Sequence, residues 1–256
     1  MFRNAIVRIP GENLDQGLTS SGLGKPLYAR ALEQHATYCS ALEKDGLRVW
    51  ALPPDLAHPD STFVEDTAVL TKSSAILTHP GAKSREGEVA RMEEVLGRFF
   101  RVIKRIQGPG TLDGGDVCEA GNHFFIGISH RTNADGARQL AGFLSEEDFT
   151  TSFVDIRGTE GILHLKSGLA HLGKNVLAVI ESLACREPFA GYELIRVPSN
   201  ESYAANCLRL NDAVLIPSGF PLLESSLRQG GYDVHPLEMS EFQKMDGGLS
   251  CLSLRF

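Results

Sequence analysis

Apolar residues recur along this chain with two spacings, one of period two and one near 3.6, in a repeating order. Asp66 to Leu70 and Ala75 to Thr78 read as strands, Arg85 to Phe99 as a helix and Arg101 to Ile106 as a strand. The order returns in Asp116 to Glu119, Phe124 to Ile128, Asn133 to Leu144 and Thr151 to Ile156, with Ala137, Leu140, Ala141 and Leu144 on one helix face. Near the C-terminus Asn206 to Leu210, Ala213 to Ile216, Pro221 to Gln229 and Tyr232 to Pro236 repeat it. At the N-terminus Asn4 to Arg8 is a strand and Pro26 to Lys44 a helix, which Asp45-Gly46 stops before a strand from Leu47 to Leu52. Leu163 to Val197 is a more irregular copy, with strands near Leu169 to Leu172 and Val176 to Ile180. The last run, Leu249 to Arg255, alternates as a strand does, setting Leu252, Leu254 and Phe256 against Cys251, Ser253 and Arg255.

Five strand–strand–helix–strand units of about 50 residues predict a propeller or array, in which the final strand would complete the first unit and close the ring. The units run over 1–60 with 249–256, 61–110, 111–160, 161–200 and 201–248. Repeats of this kind bury their apolar faces only against each other, which predicts a single domain without a linker.

Composition changes this picture little. A net charge of −7 without a Lys/Arg cluster argues against a nucleic-acid partner. No apolar run is long enough to span a bilayer. Met1 to Val7 lacks the apolar stretch of a secretory signal, and Cys39, Cys118, Cys185, Cys207 and Cys251 are scattered and odd in number. Both features predict reduced thiols in a cytoplasmic protein rather than disulfides or a zinc site.

Chemistry-bearing residues gather at the strand starts. Cys251 follows Gly247-Gly248 and is predicted to face away from the apolar packing surface, although most such thiols are small buried hydrophobes. His164 lies in Ile162-Leu163-His164-Leu165-Lys166; a lone histidine is usually a satisfied structural one, but cysteine catalysis requires a partner that handles protons near neutrality. Asp113 and Asp116 flank Gly114-Gly115, also a common turn, while Glu65 and Asp66 stand at the matching place in the preceding unit and Asp60 lies nearby after Pro59. Carboxylates gathered on one thiol need a cation to offset them, and a planar guanidinium suits bidentate acids. Arg85 and Arg131 hold equivalent places near helix N-termini, where the dipole disfavours a cation. They are solvated surface residues or a pair of ligands for a substrate carboxylate.

Taken together, Phe63-Val64-Glu65-Asp66, Pro80-Gly81-Ala82 with Arg85, Leu112 to Asp116, Arg131-Thr132-Asn133, His164-Leu165-Lys166, Ala204 to Cys207 and Asp246 to Cys251 resemble the dimethylarginine dimethylaminohydrolase family of the guanidino-modifying (pentein) superfamily. The matches run in order from about Leu18 to the end. The resemblance implies a five-fold pseudo-symmetric α/β propeller that hydrolyses asymmetric dimethylarginine or monomethylarginine to citrulline and a methylated amine. By position it makes Cys251 the nucleophile, His164 the general acid and base, and Asp113 the acid that orients the imidazole. Asp66 aided by Glu65 would hold the guanidinium, Arg85 and Arg131 the α-carboxylate, and Asp60 the α-amino group. Phe63 is counted among the substrate contacts, and Leu18 and Met245 resemble covering positions. Some relatives carry glutamate at Asp113, one methylene longer. Arginine deiminases and amidinotransferases are similar but have a His-x-Asp pattern; here Lys166 stands in place of the acid, as suits a nitrogen that carries methyl groups and no N–H. No cofactor or metal is implied. Relatives suggest a homodimer, for which the sequence shows no decisive stripe.

Two other readings remain at this point. The same ring occurs in a ribosome-associated translation factor, which would make this a binding protein, and a deiminase of free arginine is a third reading. Cys39, Cys118, Cys185 and Cys207 receive no role.

Overall fold

The computed structural model describes all 256 residues. They form two compact units, Met1–Glu65 with Cys207–Phe256, and Asp66–Asn206. In chain order the elements are β1 (Asn4–Arg8), α1 (Tyr28–Lys44) and β2 (Arg48–Leu52); then β3 (Ala68–Leu70), β4 (Ser74–Leu77), α2 (Glu86–Leu96) and β5 (Val102–Arg105). Next come β6 (Val117–Ala120), β7 (His123–Ile128), α3 (Ala134–Ser145) and β8 (Thr150–Asp155), followed by β9 (Leu169–His171), β10 (Val176–Ile180) and β11 (Glu193–Val197). The chain ends with β12 (Leu208–Leu210), β13 (Ala213–Pro217), α4 (Pro221–Gln229), β14 (Asp233–Leu237), α5 (Ser240–Gln243) and β15 (Leu254–Arg255).

Five three-stranded sheets result, each with one internal pattern. A short first strand runs antiparallel to the central strand, and the third runs parallel to it, as in β3-β4-β5 and β6-β7-β8. The parallel step needs a crossover, which α1, α2, α3 and α4 supply. Central strands are covered on both faces, so they read as unbroken apolar runs: Ala5-Ile6-Val7, Ala75-Ile76-Leu77 and Leu177-Ala178-Val179 are all fully buried. The first unit holds β15-β1-β2 and β12-β13-β14; the second holds the other three sheets.

The fourth crossover differs from the strand–strand–helix–strand expectation. Between β10 and β11 the chain makes only a one-turn 3-10 helix, Glu187–Phe189, and Phe189 buries its ring edge-on against Phe125 at a centroid distance of 5.0 Å. An aromatic anchor replaces the helix. In the third sheet α3 starts under the side chain of Asn133, which accepts the N–H of Gly136 at 2.9 Å. It then packs Ala137, Leu140 and Leu144 onto Ile76, Leu112, Phe124 and Ile126. Leu140→Ala removes the middle of that contact and is expected to lower stability by about 3 kcal/mol in urea unfolding.

A second departure decides where the chemistry sits. Short 3-10 turns precede the first strand of every sheet: Val64–Thr67, Gly114–Asp116, Leu165–Ser167, Ser199–Ala205 and Ser250–Leu252. Leu249 to Arg255 is therefore not one strand. Cys251 lies inside the last turn, half-buried, and only Leu254–Arg255 pairs with β1, Ala5 opposite Arg255 and Ile6 opposite Leu254. Ser253, expected on the outward face, is fully buried. The strands expected to begin at Asp66 and Asp116 likewise begin two and one residues later, after a turn.

Candidate active site

In the second unit the turns bring together four of the expected residues. Asp113 is the N-cap of Gly114–Asp116, and its fully buried carboxylate accepts the N–H of Gly81 at 2.8 Å on one oxygen and meets His164 Nε2 at 3.0 Å on the other. The backbone N–H of Asp113 donates to Thr132 Oγ1 at 3.1 Å, which fixes the acid before it reaches the ring. Aspartate is thus long enough to touch His164. His164 caps the turn Leu165–Ser167. Asp116 holds that turn from the other side, accepting the N–H of Leu165 at 2.9 Å and the hydroxyl of Ser129 at 2.7 Å.

Asp66 accepts the N–H of Gly115 at 2.8 Å and a bond from Arg85 Nη1 at 2.5 Å. Gly115 has no room for a side chain, since a Cβ there would stand 2.7 Å from His164 Nδ1 and 2.9 Å from Asp66 Oδ1. This is the physical demand behind the Gly-Gly pair. Asp66, Asp113 and His164 each offer an atom within 4.8 Å of the others, close enough to share a cation. Gly81, Gly115 and Arg85 already donate to the two carboxylates, and the positive charge among them comes from Arg85 and the imidazole.

Charge sets the protonation states. Burial alone would lower the pKa of His164, but Asp66, Asp116 and the bonded Asp113 outweigh it and raise it to about 9. Burial would raise that of Asp66, yet the charges of His164 and Arg85 and the bonds from Arg85 and Gly115 bring it down to about 2. Burial pushes Asp116 upward despite the His164 charge and its hydrogen bonds.

Arg85 and Arg131 are not equivalent in their surroundings. Arg85 is buried, caps α2 and is gripped by Glu88 one turn on, Nε to Oε1 at 3.1 Å and Nη2 to Oε2 at 2.8 Å. Burial works against its charge, but Glu88 and Asp66 hold it protonated. The cost of a cation at a helix N-terminus is met by a glutamate in the first turn, a partner three residues away that sequence reasoning passed over. Arg131 is half-buried; its N–H donates to Ser129 Oγ at 2.9 Å, and its backbone presses on Gly81, where a Cβ would stand 2.2 Å from the Arg131 carbonyl oxygen.

The first unit holds the rest. Gly248 donates its N–H to Cys251 Sγ at 3.4 Å. Ser250, one residue before the thiol, donates to Glu65 Oε2 at 2.8 Å. The carboxylate of Asp60 accepts the N–H of Leu18 at 3.0 Å, which leaves the Leu18 side chain exposed. Residues 19–21 are strapped to the other chain end: Thr19 Oγ1 and Ser21 Oγ donate to the Lys244 carbonyl at 2.8 and 2.7 Å, and the Ser20 N–H to Asp246 at 2.5 Å. Met245 and Phe63 are buried, Phe63 edge-on to Phe242 at 6.3 Å. Glu88, Asp116 and Asp246 are neighbours of the expected residues to which sequence reasoning had given no role. All five cysteines are thiols, and no helix is long and apolar enough to cross a membrane.

No family model matches the chain. It is 45% identical, over all of both chains, to the N(G),N(G)-dimethylarginine dimethylaminohydrolase of Pseudomonas aeruginosa. Its structure matches that of a cysteine-to-serine mutant of the Pseudomonas protein complexed with citrulline, at a TM-score of 0.97 with 100% of both chains covered. A histidine-to-glycine dimethylarginine dimethylaminohydrolase, solved as an adduct with S-methyl-L-thiocitrulline, matches at 0.96 with 45% identity, again over all of both chains. These likenesses show the expected five-sheet α/β propeller fold class.

Proposed function

Because this chain belongs to the dimethylarginine dimethylaminohydrolase family, we propose that it hydrolyses Nω-methylated arginines, asymmetric dimethylarginine and monomethylarginine, to citrulline and dimethylamine or methylamine. The full-length identity to the Pseudomonas enzyme carries the reading. The buried His164–Asp113 pair beside Asp66 supports it with the chemistry the reaction requires. The whole chain works as one domain, and Cys251 and His164 act on one substrate.

The substrate guanidinium rests on Asp66, assisted by Glu65. Each oxygen of Asp66 keeps acceptor capacity beyond its bond to Gly115 or Arg85. Arg131 and Arg85 take the α-carboxylate and Asp60 the α-amino group, while Phe63, Leu18 and Met245 enclose the chain between them. The Cys251 thiolate, favoured by the bound cation, attacks the guanidinium carbon and forms a C–S bond. The C–N bond to the methylated nitrogen then breaks as His164 gives up its proton, releasing the amine and leaving a thiouronium on Cys251. Water attacks that carbon, His164 takes the water's proton, and cleavage of the C–S bond frees citrulline and restores the thiolate. Asp113 holds the ring throughout. No step calls on a cofactor.

Incubation with asymmetric dimethylarginine, monomethylarginine and arginine, read by citrulline and amine release, tests this directly. Citrulline is expected from the two methylated substrates, with little from arginine. Ammonia from arginine alone would make the protein a deiminase, and no citrulline from any of them would remove the enzymatic reading.

The proton on His164 gives a pH dependence with a definite sign. Its pKa is raised from 6.5 to about 9 on folding. The stabilisation from its carboxylate partners is therefore complete below about 6.5 and is lost as pH rises through about 9. Turnover needs the same proton for the leaving amine, so kcat/KM should fall on the alkaline side of about 9, together with the melting temperature. A flat profile from pH 7 to 10 would contradict the assignment.

A further inference from the structure

The turn that carries Cys251 is clasped from below by a single side chain near the end of the chain. Arg255 Nη1 donates to the Ser250 carbonyl at 3.2 Å, to the Ser253 carbonyl at 2.7 Å and to Ser253 Oγ at 2.7 Å. Those two carbonyls bracket Cys251, one residue before it and two after. The other arm, Nη2, reaches Glu65 Oε1 at 3.3 Å, and Glu65 in turn takes the Ser250 hydroxyl on its second oxygen at 2.8 Å. The Tyr38 and Ser253 hydroxyls are 2.6 Å apart, tying the same group to α1. Glu65 and Ser253 are buried and the Arg255 side chain is only 13% exposed. The Nε–H of Arg255 is buried without a partner. The guanidinium therefore leaves one hydrogen bond unmade while Nη1 gathers onto the turn and Nη2 onto Glu65, which a merely surface-directed arginine has no reason to do.

We infer that Arg255 is the positioning residue for the nucleophile: its planar fork fixes both ends of the Ser250–Leu252 turn and fastens that turn to Glu65, so that the Cys251 sulfur is held at one height and angle. The inference rests on the reading of Cys251 as nucleophile. A 3-10 turn of three residues has few hydrogen bonds of its own, and β15 behind it contributes only two residues. The clasp acts beside the Ser250–Glu65 and Tyr38–Ser253 bonds and reaches backbone carbonyls on both sides of Cys251. Lysine cannot replace the fork, because an ammonium is a point charge without two coplanar arms.

The test uses the full chain as Arg255→Gln and Arg255→Lys, with Cys251→Ser as control. Steady-state rates with asymmetric dimethylarginine are measured alongside the pH dependence of Cys251 alkylation by iodoacetamide, followed by peptide mass spectrometry. In folded Arg255→Gln, kcat is expected to fall about tenfold or more while KM changes about twofold or less, and the alkylation profile moves to higher pH as Glu65 loses its counter-charge. Arg255→Lys, which keeps the charge, should restore the alkylation profile but not kcat, and it carries the test if the glutamine variant does not fold. Unchanged kcat in either folded variant, or a loss confined to KM, would overturn the positioning role and leave the reading of the site intact. Activity surviving in Cys251→Ser would overturn that reading, and the positioning role with it.

Discussion

Cys251→Ser is expected to lower kcat on asymmetric dimethylarginine by about four orders of magnitude while substrate still binds. A serine hydroxyl at the same place is a far weaker nucleophile toward a cationic carbon. It also gains far less than a thiol from a bound guanidinium, which in the proposed mechanism stabilises the attacking anion. In the proposed mechanism binding draws on other groups (Asp66, Asp60, Arg131), so citrulline or substrate should still raise the melting temperature of the variant. Crystallisation of a cysteine-to-serine Pseudomonas enzyme with citrulline shows that such a substitution in a relative tolerates ligand. Rates within about tenfold of the parent would place the nucleophile elsewhere.

The second large effect separates the two halves of the reaction. In the proposed mechanism His164→Gly removes both the acid that protonates the leaving amine and the base that activates water. Turnover of dimethylarginine should therefore drop by about 10⁴. A substrate whose leaving group departs as a thiolate needs no acid for the first half, so S-methyl-L-thiocitrulline should still load Cys251. The second half then stalls for want of a base, and intact-mass measurement should show one adduct per chain, mapping to the Cys251 peptide. The histidine-to-glycine relative solved as an adduct with this compound sets the precedent. An unmodified chain after incubation would argue against a covalent route, and modification of a different residue against Cys251.

Much of the architecture was legible because the central strands are buried on both faces and leave unbroken apolar runs. Val176–Ile180 and Pro221–Gln229 fall where periodicity placed them. The turns before the first strands were not legible. Val64–Thr67 and Ser250–Leu252 are too short for a 3.6-residue period to declare itself, and their apolar residues mimic alternation. Hence Cys251 was expected on a strand. Glu88 was hidden for another reason: at helical spacing from Arg85 it resembles an ordinary surface ion pair, and only its depth in the fold gives it meaning. Arg255 was visible solely as an outward-facing member of an alternating run; its grip on both sides of the thiol depends on backbone carbonyls that no side-chain pattern records.

The first sheet takes its two neighbouring strands from opposite ends of the polymer. The Phe256 carbonyl accepts the N–H groups of Arg3 and Asn4 at 2.9 and 2.8 Å, so the two termini are stitched side by side. A circularly permuted chain, joining Phe256 to Met1 through a few glycines and opening at the exposed hairpin tip Gly121–Asn122, would move Cys251 to the middle of the sequence and is expected to preserve every sheet.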